Sequence, residues 1–95
     1  MTIVIALNDR PMPPGKLADA ELHFTEGPLA GLKLIGFAVW ARRGGDGLNV
    51  TFPSRQYSVN GERRSFALLR PVTEESDLAI RDRIIEAYRL TEAGQ

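Results

Sequence analysis

Apolar and polar residues alternate along the chain up to about residue 70, and the period then lengthens. The β-branched run Ile3-Val4-Ile5-Ala6-Leu7 predicts a strand over about 2–8, ended by the prolines and glycine of NDRPMPPG at 8–15. Ala18, Ala20, Leu22 and Phe24 then share one side, and Asp19, Glu21 and His23 the other. That is the pattern of a half-buried strand over about 17–25. LKLIGFAVWA at 32–41 is the most hydrophobic run in the chain, and its aromatic and β-branched content predicts a third strand over 32–42. Leu32 and Leu34 alternate in one phase there, and Ile35, Phe37 and Val39 in the other. The change of phase beside Gly36 predicts a β-bulge.

RRGGDG at 42–47 reads as a hairpin connection, with glycines supplying positive φ angles. Leu48, Val50 and Phe52 alternate with Asn49 and Thr51 in a fourth strand, about 47–53, which Pro53 ends. Asn60-Gly61 is a strong two-residue hairpin turn, with a returning strand over about 63–70. Beyond Pro71 the period becomes helical. Thr73 is the expected N-cap of a helix over about 74–90, Glu74, Glu75 and Asp77 suit its positive end, and Gly94 follows it. Leu78, Ile80, Ile84, Ile85, Ala87 and Tyr88 fall on one broad side. Arg81 lies inside that arc, four residues after Asp77, where it would snorkel or pair. The expected architecture is α+β: a small antiparallel β-sheet of about five strands with one C-terminal α-helix packed on it, in a single domain spanning 1–95.

The composition is that of a small globular domain, 43% hydrophobic and 25% charged over 95 residues. A chain of this size buries a modest fraction of its surface, so association would add useful burial. The absence of cysteine fits a reducing cytoplasm. The apolar start is too short for a signal peptide or a membrane span, so no membrane association is expected. Net charge is zero, but it is unevenly spread. Residues 42–70 hold six arginines and two acids, whereas residues 73–95 hold three arginines and six acids.

Little here supports catalysis. His23 is the only histidine and falls on the polar side of its strand, with no nucleophile placed beside it by any motif. One histidine and no cysteine make no metal site, and RRGGDG lacks the Lys-Ser/Thr ending and the following helix of a phosphate loop. No enzyme activity, cofactor, metal or small-molecule substrate is expected. Trp40 and Phe37 are expected in the core or at a subunit contact. The suggestive cluster is basic: TFPSRQYSVNGERRSF at 51–66 sets Arg55, Arg63 and Arg64 around Tyr57. Guanidinium forks suit phosphate and stack on bases. Arginines on an open sheet edge also discourage aggregation, so charge alone leaves both roles open.

The same stretch, GLNVTFPSRQYSVNGERRSF, resembles the stage V sporulation protein G (SpoVG) family: a Gly-Leu strand ending in Pro-Ser-basic, then a polar Gly-Glu turn into another strand. MTIVIALNDRPMPPGKLADAELHF is similar to that family's first two strands, GFAVWARRGGDGL to its third strand and turn, and RPVTEESDLAIRDRIIEAY to its closing helix. The likeness covers about residues 1–90. It departs at Gln56, where the family has a second basic residue, and at Arg70-Pro71, where it has His-Pro. The resemblance implies a cytoplasmic homodimer that pairs through strands and binds DNA or RNA as a regulator of the sporulation or septation kind. It also implies that the basic positions Arg55, Arg81 and Arg83 take part. With Arg42, Arg43, Arg63 and Arg64 they form the expected nucleic-acid-binding set. The alternative is a non-enzymatic protein–protein interaction module that uses an exposed strand edge.

Overall fold

The computed structural model describes residues 1–10, 13–42, 44 and 47–94. Among these, the strands are β1 (Thr2–Leu7), β2 (Lys16–His23), β3 (Lys33–Ala41), β4 (Leu48–Thr51), β5 (Ser54–Val59) and β6 (Glu62–Ala67), followed by the helix α1 (Glu74–Ala93). The α+β architecture is as the sequence pattern predicts. The strands, however, number six and divide into two sheets: an antiparallel meander in the order β1-β2-β3-β4, and a separate β5-β6 ribbon. The additional strand is β5. Pro53 ends β4, and SRQYSV carries no apolar alternation because all six of its residues are exposed. No helix among the described residues is long and apolar enough to cross a membrane.

Alternation along β2 holds as expected. Ala18, Ala20 and Leu22 are buried on the side that faces the helix, and Phe24 packs at the margin of the same cluster. On the other side Lys16 pairs with Asp19 at 2.7 Å, and Glu21 takes both His23 at 2.9 Å and Lys33 at 3.5 Å. The His23 hydrogen bond, aided by Lys33, outweighs desolvation and holds the Glu21 carboxyl below its ordinary pKa.

The bulge predicted beside Gly36 is present. Ala20 pairs with Phe37 and Leu22 with Leu34, so Ile35 and Gly36 together oppose Glu21. The inserted residue returns Phe37 and Val39 to the side that Leu34 occupies. It leaves Ile35 exposed, although simple alternation grouped Ile35 with Phe37 and Val39. Only glycine suits position 36, where φ is 107° and an added Cβ would lie 3.1 Å from Pro53 Cβ. A second register shift in the β2–β3 pairing falls between Lys16 and Ala18.

Helix α1 starts where expected. Thr73 has extended backbone, and its Oγ1 accepts from the Ser76 N–H at 3.0 Å. The helix packs across the inner face of the meander, against β1, β3 and β4. Ile84 and Tyr88 are buried among Phe37, Val39 and Val50, and Phe37 meets Phe52 edge-on with centroids 5.4 Å apart. Leu78, expected on this side, is exposed instead, because the buried stripe follows Ile80, Ile84 and Tyr88 and passes it by. Tyr88 donates its hydroxyl to Glu92, and burial together with that bond pushes its pKa up to about 12. Trp40 lies half-buried on the outer face and donates Nε1–H to Thr51 Oγ1 at 2.8 Å.

Candidate nucleic-acid interface

Asn60 and Gly61 turn the β5-β6 ribbon with φ angles of 52° and 81°, the mirror-image turn that matches strand twist. A two-residue turn fixes the register. Val59 pairs with Glu62, Ser58 with Arg63, Tyr57 with Arg64, Gln56 with Ser65, and Arg55 with Phe66. Directly opposed residues share a face, and faces alternate along each strand. One face therefore carries Arg55, Tyr57, Val59, Glu62, Arg64 and Phe66. The other carries Ser54, Gln56, Ser58, Arg63, Ser65 and Ala67.

The first face alternates guanidinium and ring in both directions: Arg55 beside Phe66, then Tyr57 beside Arg64. Tyr57 is 41% and Phe66 59% exposed, and both border an open depression of about 390 Å³ with Arg55. Arg64 contacts Glu62 at 3.3 Å, so one of the two guanidinium charges on this face is partly neutralised. Arg55 forms no ion pair among the described residues. On the second face, Gln56 donates to Ser65 Oγ at 3.4 Å. Ser54 and Gln56 border a cleft of about 620 Å³ whose other walls include Lys16, Asp19, Ile35 and Trp40 of the meander. The ribbon thus turns its polar face toward the sheet and its Arg–aromatic face away. The radius of gyration, 14.5 Å, exceeds the roughly 12.4 Å usual for a compact chain of this length, as a projecting arm would require.

The predicted arginines do not gather on one surface. Arg55 and Arg64 share the first face, and Arg63 sits on the opposite one. Arg42 lies at the β3–β4 turn, at the far end of β4 from the ribbon, with Nε–H donating to the Leu48 carbonyl at 3.2 Å. Arg43 is outside the described residues. Arg83 borders a depression between α1 and β1, next to Ile3, Glu86 and Leu90. Arg81 is drawn inward. It donates to Asp77 at 2.7 Å and to the Val50 carbonyl, and its guanidinium lies 4.8 Å from the Phe52 ring centroid. That is the snorkelling and pairing expected from its place in the helix, and it commits the side chain to holding α1 on β4. Phe66 was not among the expected site residues, although counting outward from Asn60-Gly61 places it opposite Arg55.

Among the described residues no group of three or more histidine, aspartate or glutamate side chains could hold a metal ion. What the outward face of the ribbon offers chemically is two cationic forks and two exposed ring faces on a strand pair. No family model, curated protein or solved structure matches the chain.

Proposed function

We propose that the protein is a small cytoplasmic, dimeric nucleic-acid-binding regulator of the SpoVG type, acting by binding and not by catalysis. The observation that carries this reading is the ribbon register, which sets Arg55 and Arg64 on one exposed face with Tyr57 and Phe66 between them. The sequence resemblance points to the same segment. Fluorescence-anisotropy titration of short duplex DNA, single-stranded DNA and RNA at about 50 and 200 mM salt tests it. The wild type binds at least one of them at micromolar or tighter Kd, and binding weakens with salt. Arg55→Ala/Arg64→Ala lowers the affinity and reduces the salt slope by roughly 0.9 per lost phosphate contact on duplex, or 0.7 on a single strand. A folded protein that binds none of the three at the lower salt refutes the reading.

The dimer is proposed to form at β1. This strand pairs with β2 alone among the described strands, and its outward edge, TIVIAL, bears no charge and no proline. Such an edge is a template for another strand. The opposite edge strand, β4, is held by Arg81 at the Val50 carbonyl. A two-fold antiparallel β1–β1 contact would join two meanders into one eight-stranded sheet. Val4 is on the solvent side and 40% exposed, so Val4→Lys is expected to leave the fold intact and convert a dimer to a monomer in light scattering. A wild type that is already monomeric would leave β1 open to a strand of another protein, the alternative the same edge favours.

A further inference from the structure

The outward face of the ribbon holds more than charge. A site for duplex backbone needs cations, and Arg55 and Arg64 supply them. It has no use for two exposed rings. Tyr57 and Phe66 sit on neighbouring strands, offset by one step of two residues, a diagonal spacing of roughly 7–8 Å and somewhat less between their Cβ atoms. Bases in a duplex are spaced about 3.4 Å along each strand, with their faces covered by their neighbours. They cannot lie on both rings at once. An unstacked strand can, one base to each ring, and each ring has a guanidinium both across the ribbon and along the strand to take the adjoining phosphate.

Resting on the nucleic-acid reading above, we infer that this face is a stacking platform for single-stranded nucleic acid and that the protein prefers single strands to duplex. Tyr57 and Phe66 each stack one base; Arg55 and Arg64 hold the phosphates on either side. Glu62, beside Arg64 at 3.3 Å, weakens the field toward the turn. The strand is therefore held most firmly at the Arg55–Phe66 end, where no acid faces the guanidinium on the ribbon. Arg63 points to the other face and contributes only at long range.

The test uses the full chain and two labelled probes, a 12-nucleotide oligo-dT and a duplex of equal length, each titrated at two salt concentrations. Three variants accompany the wild type: Tyr57→Ala/Phe66→Ala, Tyr57→Leu/Phe66→Leu, and Arg55→Ala/Arg64→Ala. The leucine pair keeps apolar volume on the ribbon while removing the ring faces. The wild type is expected to bind oligo-dT more tightly than duplex. Both ring variants should lose about tenfold or more on oligo-dT, in keeping with the energy of stacked bases, with the salt slope unchanged and duplex binding altered less than about twofold. The arginine pair should weaken both probes and flatten both slopes.

Equal losses on both probes, or no loss from either ring variant, overturn the platform while leaving the nucleic-acid reading in place. Failure of the wild type to bind either probe removes both. Light scattering of the ring variants covers a second copy of this chain as the occupant. Conversion from dimer to monomer would show the rings buried between subunits, and the platform would be refuted.

Discussion

Ile84→Ala is expected to remove a large share of the protein's stability, about 2–5 kcal/mol. Ile84 is fully buried at the centre of the helix–sheet contact, facing Phe37, Val39 and Val50, the other large side chains wholly out of solvent. Truncation forfeits the transfer energy of its methyl and methylene groups and leaves a cavity, because α1 is held on both sides of that point by Arg81 and Tyr88 and cannot settle inward. A domain of this length has only about 5–14 kcal/mol in total. The melting temperature should fall by about 10–30 °C, read from circular dichroism at 222 nm. Leu78→Ala is the matched control. The helical period groups Leu78 with Ile84, but it is 53% exposed, so its loss should stay within about 0.5 kcal/mol. Equal costs at the two positions would mean that the helix docks through a different face.

Arg81→Ala should cost about 2–3 kcal/mol and leave the proposed nucleic-acid binding unchanged. Four interactions end together: the 2.7 Å bond to Asp77, the 3.4 Å donation to Asn49 Oδ1, the donation to the Val50 carbonyl and the contact with the Phe52 ring. A hydrogen bond from a charged group is worth roughly 1.5–3 kcal/mol, and an exposed cation–π contact about 0.5–1 kcal/mol. The Arg81 and Asp77 side chains are 34% and 30% exposed, so water screens part of the sum. Asp77 would remain half-buried without its partner, which adds to the cost. Urea titration measures the stability change, and anisotropy at a temperature where the variant is folded measures the binding. A variant as stable as wild type that binds nucleic acid less tightly would return Arg81 to the interface. Arg83→Ala, whose side chain enters no ion pair among the described residues, should be close to neutral for stability.

The meander and the helix were legible because burial imposes period. β2 writes its two environments as strict alternation, and the helix writes its buried stripe through Ile80, Ile84 and Tyr88. The bulge was legible from a phase break next to a glycine. β5 was not, since a strand with no buried side leaves no apolar rhythm. The turn was its one signal, and the predicted strands left it out: Asn60-Gly61 demands two partners, and counting back from it gives the pairings out to Arg55 and Phe66. The same count separates Arg63 from Arg64, which proximity in sequence had joined. Arg81 was readable in its packing role from the spacing to Asp77, whereas its partner on β4, thirty-one residues away, depends on tertiary placement alone.

The ribbon's exposure has a consequence for how the molecule can change. None of the residues from Ser54 to Phe66 is buried, and no core residue leans on them. Such a ribbon opens and closes as its own cooperative unit, with a free energy well below that of the whole domain, and its amides exchange with solvent hydrogen while the meander stays protected. Its side chains can accordingly be rewritten with little effect on the fold beneath. An arm built this way can exchange its rings and charges one at a time without drawing on the narrow margin that keeps a chain of 95 residues folded.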